Sequence, residues 1–335
     1  MLFFTFFNIY HYFMGVLGVF LNLLLLLVSI FFSPLQIKKY RILIVNFAIA
    51  DMGAAFFTLF VEQRIIPIGK SMIHVSYGFC HLISKLACYA GYSIFLHFFM
   101  HSMWSLLISF TYRYYILEYG TPSKYQIIAA IFFFYIPSFC QAVSFIFSEG
   151  DENEMMTLLQ QNFPNYTFDK TMVTGNPDML APASLFTILH MTVPIFPIYH
   201  IILTMRSKII KKLETTTQHL RKETRNLHKQ LLKALTYQAF LPLFFVISVI
   251  IFFVQLLGFY SNPVLECLIF SIPAFIPVCS ALISITHIKP YRDIIIRWIL
   301  IIFRRKVATK QEMFTVSFSL GKKSTVNRQS VIADF

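Results

Sequence analysis

The side chains able to do chemistry are few, and most lie inside apolar stretches. Asp51 is the one charge in the run Ile42–Val61; Asn46 lies five residues before it and Asn22 sits in an earlier apolar run. A carboxylate among apolar side chains must meet a cation, a water or a hydroxyl, so Asp51 marks a polar switch, a hydrogen-bonded contact between helices, or both. His97 and His101 are four apart and share one helix face. They can line a pocket, hold a metal as a pair, or sit as satisfied interior histidines; no third metal ligand stands nearby. Arg113 is flanked by Tyr112 and Tyr114, where it can snorkel to a membrane boundary or pair with a carboxylate on a neighbouring helix. No nucleophile–base pair, metal triad or phosphate loop occurs, and Gly15 and Gly18 read as helix glycines. The expectation is no enzyme, no metal and no cofactor.

The elements that must carry these residues follow from composition. Of 335 residues 57% are apolar and only 13% charged. A soluble domain has roughly 45–50% and about a quarter. A helix crossing a bilayer needs about 20 apolar residues, and the chain has seven such runs. They cover about 8–32, 42–61, 80–111, 125–147, 184–205, 234–258 and 264–287. The expectation is an all-α membrane protein, a seven-transmembrane-helix bundle spanning 1–303. Residues 289–303 form a short interfacial helix on the inner leaflet, and 304–335 a disordered tail. The first run has no positive leader and is too long for a signal-peptide core, so it reads as a true span. Pro137, Pro194, Pro197, Pro242, Pro273 and Pro277 fall inside spans, where proline removes a helix hydrogen bond. They are pivots or static packing.

Lys and Arg set the orientation. The stretch 206–233 has nine of them, and the segment after span seven has ten. The 148–183 connection is acidic, with Glu149, Asp151, Glu152, Glu154, Asp169 and Asp178 against Lys170. It also holds the chain's one N-x-[ST] sequon, Asn165-Tyr166-Thr167. The odd connections and the tail are therefore expected inside, with the N-terminus outside and Asn165 a glycosylation acceptor. The net charge of +13 is then an inner-leaflet feature drawn to anionic lipid, and no nucleic-acid partner is expected. Five cysteines give no disulfide framework. The basic 206–233 stretch, with Lys229 and Lys233 near its end, is expected to extend spans five and six as helices and to meet an acidic partner.

Seven spans with these residues resemble a rhodopsin-like G-protein-coupled receptor. Asn46-Phe47-Ala48-Ile49-Ala50-Asp51 resembles its second-helix pattern, Asn22 its first-helix Asn, and Tyr112-Arg113-Tyr114 its Asp-Arg-Tyr switch with Tyr in place of the acid. Cys88 stands where the family's third-helix Cys would, but the 148–183 loop has no Cys to pair with it. The seventh-helix Asn-Pro-x-x-Tyr is absent. The segments 40–46, 109–115, 228–236 and Pro290-Tyr291-Arg292 resemble the nematode serpentine chemoreceptors of the Str superfamily, most closely serpentine receptor class delta. That resemblance implies a chemosensory receptor in the membrane of sensory cilia. A small-molecule cue would bind among spans three, five, six and seven, and a heterotrimeric G protein would meet Tyr112, Arg113, Lys229 and Lys233. The alternative is a seven-helix ligand-gated channel of inverted topology.

Overall fold

The computed structural model describes residues 2–166, 168–169, 172–216 and 222–301. Among these, seven helical segments are long and apolar enough to cross a membrane. Span one is α1 (Leu2–Phe32), span two α2 (Arg41–Val61), span three α3 (Lys85–Tyr119) and span four α4 (Lys124–Ile146). Each later span is two helices end to end. Span five is α6 (Pro182–Thr192) with α7 (Ile195–Thr216), and span six is α8 (Lys222–Gln238) with α9 (Pro242–Leu256). Span seven is α10 (Pro263–Ser271) with α11 (Phe275–His287). The breaks fall at Pro194, Pro242 and Pro273, where a missing N–H cannot continue the ladder. Pro137 and Pro277 lie inside unbroken helices. A last helix, α12, covers 289–301 and packs Trp298 edge-to-face on Phe32 of α1, ring centres 5.4 Å apart. The tail expectation for 304–335, and Thr167 of the sequon, lie outside the described residues.

Span three is the axle of the bundle. It is buried around most of its circumference, as a helix packed on all sides must be. Its helix begins at Lys85 rather than at Cys80 and runs on to Tyr119. Ser84 caps it by accepting from the Ala87 N–H. Close approach of α1 to α2 is made by Gly18, where an added Cβ would lie 2.8 Å from that of Ala55.

The connections at the end opposite α12 are ordered in a way the apolar runs do not reveal. After span two, β1 (Gln63–Ile68) and β2 (Ser71–Ser76) form a hairpin with Gln63 opposite Ser76. The long acidic connection supplies α5 (Glu152–Asn162) and β3 (Val173–Asn176), which pairs with β2. The three-stranded sheet is buried on both faces: Ile65 and Met72 face the bundle, while Ile66, Ile73 and Val75 pack on Met155 and Leu159 of α5. Gly175 allows this layering, because a Cβ there would meet the Met72 carbonyl at 2.6 Å. The sheet tethers the acidic connection without a disulfide.

The cysteine expectation needs correction, since Cys88 is bonded to Cys80. The pair is local, eight residues apart, and clamps the turn before α3 to its first helical turns. By loop entropy, Cys88→Ser is expected to cost about 2–3 kcal/mol. Thermal unfolding of the purified protein, with and without reductant, measures it. Equal curves for variant and parent under oxidising conditions contradict the assignment.

Glu62, at the turn from α2 into β1, has left-handed backbone at φ 45 and is buried. Burial pushes its carboxyl up from 4.5 to about 7. The folded protein therefore keeps a proton that the unfolded chain releases. Its stabilising share is complete below pH 4.5 and is lost as pH rises to about 7. Glu62→Gln is expected to flatten the fall of the melting temperature across that window. A slope unchanged by the substitution contradicts this.

Candidate functional site

The polar core is built along span three. The Ser102 hydroxyl donates to Asp51 Oδ1 at 2.5 Å. Asn46 does not join them. Five residues are about 7.5 Å of helix rise, so Asn46 meets a different turn of α3. Its Nδ2 donates to Ser105 Oγ at 2.7 Å, and its Oδ1 lies 3.0 Å from His101 Nε2. Asn22 does not reach Asp51 either: its Nδ2 donates to the Gly18 and Pro277 carbonyls, at 2.9 and 3.1 Å. It thus ties span one to span seven. Gln238, at the end of α8, donates to the Ser280 carbonyl at 3.2 Å and to Ser284 Oγ at 2.9 Å, tying span six to span seven.

Toward the α12 end, Arg113 is buried, neither snorkelling to the boundary nor paired with a carboxylate among the described residues. Its Nη1 lies 2.8 Å from His228 Nδ1 on α8, and its guanidinium sits 3.9 Å from the centre of the Tyr40 ring. Guanidinium has no acceptor, so His228 Nδ1 accepts and the ring proton is on Nε2. The position before the arginine, Tyr112, is tyrosine, and its ring packs 5.5 Å from Tyr40. The contact joining spans two, three and six is therefore a stacked arginine held by a neutral histidine. Lys229 and Lys233 are exposed beside it.

At the sheet end, a cavity with about 690 Å³ of empty space, its open mouth included, lies between spans three, five, six and seven. Phe95 and Phe99 of α3, Met191 of α6, Phe245 and Phe252 of α9 and Phe270 of α10 wall it; Ile65 and Met72 of the hairpin lie over it. His97 and His101 do not line it. Their rings pack against Tyr135 of α4 at 4.6 and 5.1 Å, on another face of span three. Among the described residues no cluster of three metal-ligating side chains occurs.

One site escapes reading by apolar runs. Arg64 of β1 and Glu266 of α10 form a buried ion pair, Nη2 to Oε2 2.5 Å, with side chains 2% and 1% exposed. The Arg64 guanidinium also sits over Phe4, Tyr166 and Phe168 at 4.7, 4.7 and 5.3 Å, and bonds the Tyr77 hydroxyl at 3.2 Å. The available signal was Glu266 itself, an ionisable residue within an apolar span.

The fold and these contacts define a multi-pass, seven-helix membrane protein of the rhodopsin architecture. Squid rhodopsin superposes with a TM-score of 0.58 over 88% of this chain and 85% of its own, at 15% identity. The chain belongs to the family described as serpentine type 7TM GPCR chemoreceptor Srd, whose model matches residues 7–297. It is similar to serpentine receptor class delta-18 and delta-19 of Caenorhabditis elegans, each 36% identical, over 88% and 86% of both chains. Serpentine receptor class delta-3 of the same nematode is 30% identical over 87% of both.

Proposed function

We propose that this chain is a chemosensory receptor that binds a small-molecule cue in the sheet-end cavity and passes a conformational change to a heterotrimeric G protein at the α12 end. One observation carries the reading. The cavity wall and the Arg113 contact are on two halves of the same span, jointed at Pro242. Phe245, Ser248 and Phe252 of α9 line the cavity, while His228 is on α8. The breaks at Pro194 and Pro273 lie against the same cavity, lined by Thr192 and Pro273. A guest that binds one arrangement of α9 more tightly shifts the α8 arrangement with it. In this reading the Asp51, Asn22 and Asn46 bonds hold the shaft against which the joint works. The N-terminus and Asn165 face outside, and the basic end faces the cytosol and anionic lipid. The membrane is that of sensory cilia, in keeping with the family's description as chemoreceptors.

The test is guanine-nucleotide exchange on purified heterotrimeric G protein, driven by the full chain in lipid nanodiscs. Acceleration over empty nanodiscs is expected, with a further change on loosening the latch by His228→Ala. Exchange no faster than with empty nanodiscs, across the G-protein classes, contradicts coupling. A current in cells without functional G proteins points to a channel instead.

A further inference from the structure

The chemical class of the guest is written in how the cavity's hydroxyls are used. Three lining side chains other than tyrosine carry a hydroxyl, and each donates to a carbonyl of its own helix. Thr187 donates to Ala183 at 3.0 Å, Thr192 to Ile188 at 2.7 Å and Ser248 to Phe244 at 3.2 Å. Their protons are spent within the helices, so none of the three offers a donor to the space. No lining residue carries a charge, and the rest are aromatic, aliphatic, thioether or proline. The charges flanking the lining residues are engaged elsewhere: Arg64 pairs with Glu266, and Lys70 with Asp178. Tyr92 is the exception among the lining hydroxyls, because it makes no hydrogen bond among the described residues while its ring packs on His74, Phe145 and Phe270.

We infer that the cavity takes an uncharged, mainly hydrocarbon molecule with at most one hydrogen-bonding group, which pairs with the Tyr92 hydroxyl. An ammonium or carboxylate guest would give up its water for walls that offer no counter-charge. A neutral ring or chain gains apolar burial against phenylalanine faces and the adaptable thioethers of Met72 and Met191. This inference rests on the proposed reading of the cavity as the cue site.

The test uses the full chain in lipid nanodiscs and five matched probes: toluene, acetophenone, benzyl alcohol, benzoate and benzylammonium. Thermal stabilisation is titrated at neutral pH for the parent, for the cavity-filling Ser248→Phe and Val249→Trp, and for Tyr92→Phe. The neutral probes are expected to bind at least about tenfold more tightly than the ionised ones. Either filling variant that folds should remove the effect. Tyr92→Phe should weaken acetophenone and benzyl alcohol roughly five- to tenfold, with toluene unchanged. Ionised probes binding as tightly as neutral ones, and losing binding when the cavity is filled, overturn the chemical class but leave the cavity as the site. Probe responses indifferent to both filling variants, or none from any probe, overturn the cavity as the site and this inference with it.

Discussion

Replacing Glu266 with alanine is expected to remove about 3–5 kcal/mol of stability, because it leaves the buried Arg64 charge without its partner. The guanidinium cannot shed its proton to escape the cost. Three aromatic rings and the Tyr77 hydroxyl close around it. Arg64→Met is expected to cost less, because a stranded carboxyl can take up a proton. The pair Arg64→Met with Glu266→Leu should recover most of the loss, as apolar replacements of a whole buried ion pair often do. The measurement is thermal unfolding of purified protein, with cell-surface labelling as a second readout. A Glu266→Ala protein as stable as its parent would mean that the pair is not buried. The position explains the size of the effect. Arg64 holds together the start of α1 through Phe4, the acidic connection through Tyr166 and Phe168, and span seven through Glu266.

Replacing Arg113 with alanine is expected to lower G-protein nucleotide exchange by roughly ten- to a hundredfold, with the surface amount of receptor kept. The guanidinium does two things that no other side chain does together: it stacks on Tyr40 and donates to His228. Arg113→Lys should therefore behave more like alanine than like the parent, since an ammonium lacks the planar fork. Exchange by both variants at the parental rate, with equal receptor at the surface, would remove Arg113 from the coupling step.

The spans were legible because a bilayer demands long apolar runs, and Asp51, Asn46 and Arg113 were legible because polar groups in such runs are rare. Their partners were not. His228 is 115 residues from Arg113 and Pro277 is 255 residues from Asn22, and one sequence carries no distance between them. The sheet escaped for a local reason. β1 reads Gln-Arg-Ile-Ile-Pro-Ile, too short and too interrupted by Pro67 to stand out beside the spans. Arg64 stands outside every apolar run, so nothing in the sequence marks it as one of the most buried side chains. The missing cysteine in the acidic connection correctly excluded the usual tether, while the local Cys80–Cys88 bond was overlooked. The histidine pair was placed on one helix face as its spacing requires, but which face of span three meets the cavity is decided by packing against α4.

Everything proposed for the two ends of the bundle depends on which side of the membrane each one faces. The most direct measurement is glycosylation and labelling of the intact chain in cells. Removing N-glycans is expected to shift the protein's mobility, Asn165→Gln is expected to abolish the shift, and a cysteine placed beside exposed Asn165 should react with an impermeant reagent from outside. A cysteine placed at Lys229 should not. The reverse pattern, labelling at 229 and none at 165, would put the Arg113 end outside the cell and contradict the receptor account.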